Sequence, residues 1–519
     1  MIIKVNKKDI VFRNPELYAG EAKFINLDHM LSNLYMLIAN NGAPVSFAVV
    51  KGGHTMDSLE KTYMKLLEEK GLVNGVSDNM EGVEDWLRSN LVNMVNRGNV
   101  IKENVSALRP LHLMSYKIQN KKFNRDYSAG DQVYLMLKTC PEVLEALKEY
   151  LNTGWDSSTK KIVFSKDLDL DTIGILMLTK DIIERRKPNT EIVNIKPLLT
   201  KQTELFNEDI RRLLLYKDVL PRTVFIDYLR TLMAFHLTLY VFKLIYLLPK
   251  MKEAGRVDVE DDWSLLVDVS NDLDSRIAPL ACRDMARIIN SLNEYFHVTF
   301  EINVIQQYLR DKSANASIPD VLATMKDGID RSSEYFLGMI NKIKTMASNA
   351  TSEEIDEMLQ FFDSDDYFGR YIYLLEKSNG GSSYQFSDFH WMLDSIGMKN
   401  SETQLLADGR RSRKHPRRGA LGSKLLETLV QLLVLEPTEN GTYKSRSLSI
   451  DELAQRIRER YGLVINGSNE PRFAGADVET HAAFKDNMEA FKNKLRQIGF
   501  YTDLSDAYLL QKIRPRYKI

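Results

Sequence analysis

The residues of this sequence that could carry out catalytic chemistry are few and scattered. One arrangement is nuclease-like. Asp9 is followed by Glu21-Ala22-Lys23, so that carboxylates could hold a divalent metal ion while the lysine steadies a hydroxide. Such short combinations also arise by chance, and the sequence has no glycine-rich phosphate loop, GxSxG elbow or HExxH motif. We therefore predict no catalytic residues, no cofactor and no metal site, and keep a metal-dependent nuclease as a remote alternative.

The cysteines and the N-terminus indicate the cellular compartment. Only Cys140 and Cys282 occur, far apart and without a CxxC pair, which argues against a disulfide scaffold and against a thiolate zinc site. Residues 1–20 lack the apolar core and the cleavage site of a signal peptide. We expect a soluble, cytoplasmic protein.

A second kind of chemistry, contact with a polyanion, is indicated by a basic segment near the C-terminus. The whole chain has a net charge of −1, yet residues 410–424 contain no acidic residue. We call this segment the basic arm, and its basic residues are Arg410, Arg411, Arg413, Lys414, Arg417, Arg418 and Lys424. Clustering of this kind is what contact with nucleic-acid phosphates requires.

Further basic residues follow the arm in the last forty positions of the chain. A predicted helix holds Lys485, Lys492, Lys494 and Arg496, and a basic tail holds Arg514, Arg516 and Lys518. A basic arm before a domain and a basic tail after it are typical of proteins that contact the DNA backbone and bind DNA without reading its sequence. The alternative is a solvated linker followed by a protein-docking domain, because charge patterning alone does not separate the two.

The elements that would position these residues are three helices and a hairpin. Leucines at helical spacing predict a helix over residues 423–435, and Ser449 with Glu452 forms a capping box that opens a second helix. Apolar spacing predicts a third helix over residues 478–498. Two strands over 500–502 and 507–513 follow, separated by a turn at residues 503–506.

This order of elements resembles winged helix-turn-helix domains over roughly the last fifth of the chain. The resemblance implies that the third helix enters the major groove and that the wing touches phosphates. Two features depart from the pattern. Residues 462–477 separate the second and third helices by far more than the usual turn, and Asp503 and Asp506 at the wing tip would repel phosphate.

The rest of the chain is organised around one apolar helix, predicted over residues 224–248 between Pro221 and Pro249. Its polar residues point in several directions, and its longest uncharged run is too short for a bilayer span, so we predict a buried core helix and no membrane contact. The predicted fold class is mainly α. The predicted domains are a small α+β or helical module (1–125), an irregular helical domain (126–399), a basic linker (400–423) and a winged-helix-like domain (424–519).

The whole-chain pattern resembles uncharacterised subunits of bacterial multi-gene anti-phage defence systems. The residues that carry this resemblance are LRTLMAFHLTLYVFKLIYLLPKM, from Leu229, and LRQIGFYTDLSDAYLLQKIRPRY, from Leu495. It implies a non-enzymatic subunit that acts beside a nuclease, a methyltransferase or an ATPase. We therefore predict a DNA-binding adaptor. The alternative is a protein scaffold without nucleic-acid binding, which could be a homo-oligomer.

Overall fold

The computed structural model describes most of the chain. The described residues are 12–47, 54–61, 68, 71, 74–95, 103–165, 168–186, 195–346, 349–378, 382–408, 416–440, 442–501 and 512–519. They divide into two compact units. One comprises Ile25–Ala234 with Ile519, and the other comprises Met1–Phe24 with Phe235–Lys518. The predicted boundaries at residues 125, 399 and 423 stay a prediction.

The unit of residues 25–234 combines helices with short antiparallel ribbons. Its helices are α1 (Leu27–Ala39), α2 (Met80–Trp86), α3 (Ala129–Lys138), α4 (Pro141–Leu151), α5 (Leu170–Thr179), α6 (Thr200–Leu214) and the beginning of α7 (Arg222–Ala254). Its ribbons pair β1 (Val45–Phe47) with β6 (Glu184–Arg186), β2 (Val92–Val95) with β3 (Asn104–Leu108), and β4 (Trp155–Asp156) with β5 (Lys161–Ile162).

The other unit is dominated by helices, and the mainly α fold class is confirmed. After α7 its helices are α8 (Ile277–Asn290), α9 (Leu292–Asp311), α10 (Ile318–Asp327), α11 (Glu334–Met346), α12 (Asn349–Leu359), α13 (Tyr367–Ser378), α14 (Ser382–Ile396), α15 (Ser423–Leu433), α16 (Ile450–Tyr461) and α17 (Val478–Gln497).

Helix α7 is the predicted core helix, and it is longer than predicted. It continues through Pro249 to Ala254. A proline inside a helix removes one hydrogen bond, but Leu247, Leu248 and Met251 around it are buried, and their burial favours continuing the helix. In the part of the chain that the structure describes, α7 has the length and composition to cross a membrane. However, 94% of its most apolar window is buried inside the protein, as expected for a core helix.

The unit that includes residues 235–518 contains a four-stranded sheet that the sequence pattern did not predict. Its strands are β7 (Leu265–Asp268), β8 (Leu406–Asp408), β9 (Arg417–Ala420) and β12 (Leu463–Val464), in the order β12-β7-β9-β8. Strand β7 is parallel to both neighbours, with Leu265 opposite Leu463 and Val267 opposite Gly419, whereas β8 is antiparallel to β9. Strand β9 lies within the basic arm, so the end of the arm is part of the sheet.

The C-terminal helices lie close to their predicted positions. The capping box of α16 is present, because Ser449 Oγ accepts from the Glu452 amide at 3.1 Å and Glu452 Oε2 accepts from the Ser449 amide at 2.7 Å. A hairpin of β10 (Leu435–Pro437) and β11 (Tyr443–Ser445) joins α15 to α16. The predicted wing turn, residues 503–506, lies outside the described residues.

Candidate nucleic-acid interface

Helix α17 is fixed across the carboxyl ends of the parallel strands by one buried amide. Asn487 Nδ2 donates to Val267 O at the end of β7 and to Ile465 O just after β12, both at 2.9 Å. Its Oδ1 accepts from the Val269 amide at 2.9 Å. The carboxyl ends of parallel strands are where α/β sheets usually bind ligands. Here α17 occupies that edge, and its orientation is set by the sheet.

Close packing reinforces this position. A side chain on Gly467, which follows β12, would meet the Phe484 ring of α17 at 2.4 Å, so only glycine allows the approach. At the other end of the helix, Lys494 Nζ donates to Leu421 O, just after β9, at 2.7 Å. Burial lowers the pKa of Lys494 to about 8. Lys494 is therefore an anchor of α17 to the sheet.

The outer face of α17 carries three of the predicted DNA-binding residues. Lys485 and Arg496 are exposed and Lys492 is half-buried. Lys492 Nζ and the Arg496 guanidinium lie 5.8 and 6.0 Å from the centre of the Tyr501 ring. This cation-π packing holds the two charged groups near the C-terminal end of the helix. Glu489 is exposed on the same helix, so the face is not uniformly basic.

The basic tail returns to the same end of α17. The Arg514 amide donates to Phe500 O at 2.9 Å, and the Ile513 amide donates to Leu448 O at 2.7 Å. Arg516 Nη2 donates to Ile498 O at 2.6 Å, and its guanidinium stacks 5.1 Å from the centre of the Phe500 ring. Arg514 and Lys518 are exposed. The structure therefore brings Arg514 and Arg516 to the end of the helix that carries Lys492 and Arg496.

The residues of the basic arm have different environments. Arg417 forms a two-point ion pair with Asp394, at 2.6 and 2.8 Å. Arg418 is buried and bonded to Asp268. Lys424 is exposed, with Nζ 3.7 Å from a Glu402 carboxylate. The first four basic residues of the arm lie outside the described residues: Arg410, Arg411, Arg413 and Lys414.

The remaining candidates are a metal site and the nuclease-like arrangement of Asp9, Glu21 and Lys23. Among the described residues, no group of three histidine, cysteine, aspartate or glutamate side chains could hold a metal ion. Of the nuclease-like arrangement, Asp9 lies outside the described residues. Glu21 lies 3.6 Å from Arg13, and Lys23 is paired with Asp388.

Comparison with known proteins identifies the family. The family model described as methylation-associated defense system protein MAD7 matches residues 7–517, almost the whole chain. The chain belongs to the MAD7 family. No curated protein matches it. The predicted resemblance to subunits of defence systems is thereby confirmed at the level of a defense-system protein, and MAD7 membership indicates that other proteins of the system act with it.

Sequence reasoning missed two residues that hold α17 and the sheet in place, Asn487 and Asp268. Asn487 had a signal: it lies at helical spacing between Phe484 and Phe491, and a polar residue in an apolar stripe is buried only with hydrogen-bond partners. Asp268 had none, because its partner Arg418 is 150 positions away in the sequence.

Proposed function

We propose that this MAD7-family chain is a non-catalytic, cytoplasmic, DNA-binding adaptor of its defense system. The observation that carries the proposal is the fixed orientation of α17. Its buried side is anchored to the sheet through Asn487 and Lys494, and its other side presents Lys485, Lys492 and Arg496. The basic arm contains β9, and Leu421 O just after this strand accepts a hydrogen bond from Lys494 of the same helix. Both basic elements are thus connected to the same sheet.

These residues suit contact with the DNA backbone. Lysine and arginine neutralise phosphates without distinguishing bases, and each contact releases counterions from the duplex. The bond from the Arg514 amide to Phe500 O joins the two ends of the predicted wing hairpin, and the bond from the Ile513 amide to Leu448 O joins its second strand to the segment before α16. Both bonds support a winged-helix arrangement. The proposal does not rest on Arg417, Arg418 or Lys494, which are used within the fold.

The test is binding of the full chain to a labelled duplex by fluorescence anisotropy at 50 and 200 mM salt. With about four to six phosphate contacts, affinity falls roughly a hundred- to a thousandfold between these concentrations. Replacing Lys485, Lys492 and Arg496 with alanine should reduce the salt slope, which is the slope of log affinity against log salt concentration, by about three. Replacing Arg410, Arg411, Arg413 and Lys414 with alanine should weaken binding to all sequences alike.

The control removes the same charge elsewhere in the same unit. Lys312, Lys342 and Lys377 are exposed lysines of the helical part, and their replacement with alanine should leave the slope unchanged. Truncation at residue 409 is unsuitable, because β9 and β12 are the two neighbours of β7. Equal slopes for the α17 and control variants would reject the proposal.

A protein scaffold without DNA binding is the second candidate, and one surface favours it. Phe361 is 93% exposed and follows α12, whose exposed residues include Glu353, Glu354 and Glu357. An exposed aromatic residue beside acidic residues is suited to a basic partner protein. Absence of DNA binding by the full chain, together with a stable complex with another protein of the system that Phe361→Ala weakens, would establish this function instead.

A further inference from the structure

The side of α17 that points away from the sheet carries one acidic residue among its basic ones. Successive helical residues are rotated by about 100°, so four residues of this side lie within about 60° of one another around the helix axis. We call them the outer stripe: Lys485, Glu489, Lys492 and Arg496. Asn487, which is bonded to the ends of the parallel strands, lies on the opposite side of the helix. The sheet therefore holds the outer stripe facing outward.

The carboxylate of Glu489 is not used within the fold. Glu489 is exposed, and Lys485 and Lys492 stand four residues before it and three residues after it. These are the spacings at which a helix forms ion pairs, yet among the described residues neither lysine is paired with Glu489. Lys492 Nζ instead lies 5.8 Å from the centre of the Tyr501 ring. The outer stripe thus presents a hydrogen-bond acceptor between its cations.

The spacing of the outer stripe along the helix fits the major groove. At 1.5 Å per residue, Lys485 and Lys492 are about 10 Å apart along the axis, and the groove is about 12 Å wide. A helix that crosses the groove brings Lys485 to the phosphates of one strand and Lys492 with Arg496 to those of the other. Glu489 then lies over the edges of the base pairs. Phosphate contacts fix the position of a protein on DNA, whereas contacts with base edges give specificity.

We propose, on the basis of the proposed DNA-binding function, that Glu489 is the base-reading residue of the outer stripe and that its carboxylate accepts a hydrogen bond from the N4 amine of cytosine. A carboxylate only accepts hydrogen bonds. In the major groove cytosine presents a donor, guanine presents acceptors, thymine presents an acceptor and a methyl group, and the adenine amine stands beside the N7 acceptor. Without cytosine, the carboxylate meets acceptors and loses affinity. The preferred substrate is therefore duplex DNA that contains G·C pairs.

The test measures binding of the full chain to three labelled duplexes of equal length by fluorescence anisotropy at one low salt concentration. The first duplex contains only G·C pairs, the second only A·T pairs and the third only inosine·cytosine pairs. The third has the major-groove groups of a G·C duplex but lacks the guanine amine in the minor groove. We expect the two duplexes that contain cytosine to bind with similar affinity, roughly tenfold more tightly than the A·T duplex.

Substitutions of Glu489 should change this preference in different ways. Glu489→Gln replaces the acceptor with an amide that pairs with N6 and N7 of adenine, so the preference should reverse toward the A·T duplex. Glu489→Ala should bind the three duplexes with similar affinity. Asp486→Asn is the matched control, because Asp486 is an exposed acid of the same helix that lies outside the outer stripe, 3.4 Å from Arg276. It should change the affinity for all three duplexes by the same factor.

The outcomes separate this inference from the proposed function. If the wild type binds the three duplexes alike, or if Glu489→Ala keeps the preference, the role of Glu489 is overturned while DNA binding stands. Tighter binding to the G·C duplex alone would assign the preference to the minor groove and would overturn that role as well. Absence of binding to all three duplexes would overturn both the role of Glu489 and the proposed DNA binding.

Discussion

Arg418 and Asp268 form an ion pair in which both side chains are buried, with Nε 2.8 Å from Oδ2 and exposures of 2% and 0%. The pair joins β9 to β7, and Arg418 Nη2 also donates to Asn271 Oδ1 at 3.1 Å. Arg418 Nη1 has no partner among the described residues. A buried charge is tolerated only beside its counter-charge, so the two residues depend on each other.

Removing one partner of this pair should therefore destabilise the protein more than removing both. We expect Arg418→Met or Asp268→Leu alone to lower the free energy of unfolding by about 3–5 kcal/mol, and the double variant to recover part of that loss. Urea unfolding of the two single variants and the double variant measures the coupling. Additive losses would contradict the interdependence.

Lys494 should make the free energy of unfolding depend on pH in the alkaline range. Burial lowers its pKa to about 8 in the folded chain, against an ordinary value of 10.5. The folded state thus disfavours the charged form, and this penalty is fully present below pH 8 and disappears as pH rises to 10.5. The stability of the wild type relative to Lys494→Met should rise over that range in urea unfolding. Lys485→Met, on the exposed side of the same helix, is the control.

His297 should make the free energy of unfolding fall as pH rises, in contrast to Lys494. Its Nδ1 lies 2.8 Å from Glu376 and its Nε2 3.4 Å from Glu301, and these bonds raise the pKa of His297 to about 10. The charged imidazole joins α9 to α13. Its stabilisation is fully present below pH 6.5 and is lost as pH rises toward 10. The difference in unfolding free energy between wild type and His297→Gln should fall across this window, and a constant difference would contradict the assignment.

Gly462 should resist substitution because of its surroundings as well as its backbone. Its φ is +72°, and an added side chain would lie 2.8 Å from Trp263 O. Gly475 has a similar φ, +80°, with nothing within 4 Å. We expect Gly475→Ala to cost about 1 kcal/mol from backbone strain alone and Gly462→Ala to cost at least 1–2 kcal/mol more. Thermal unfolding of the two variants compares them directly. Equal losses of stability would show that contact with Trp263 does not contribute.

Local patterns predicted the helices well. The helix predicted over 423–435 is α15, which ends two residues earlier, and the capping box at Ser449 marks the beginning of α16. The sheet could not be predicted, since its strands have two to four residues and β7 pairs with segments about 150 and 200 positions later. Short apolar runs do not distinguish a buried strand from other buried structure.

The charges of the candidate interface were visible in the sequence, but their exposure was not. Arg417 and Arg418 are as basic as Arg410, yet both are paired inside the fold with Asp394 and Asp268. On α17 the period of a helix separates Lys485 from the apolar side, but it does not reveal that Lys494 bonds to Leu421 O. Long-range partners decide which charges remain available, and one sequence does not show them.

The spacing of the sheet strands has a consequence for synthesis of the chain. Strand β7 is buried at all four residues, three of which are apolar, but its two neighbours are translated much later. At roughly 5–20 residues per second, about 10–40 s separate translation of β7 from translation of β12. Both edges of β7 lack their partners until β9 is translated, and one edge still does until β12 is translated. The sheet can therefore be completed only after residue 464 has been translated, and a nascent chain stalled before residue 463 should depend on chaperones.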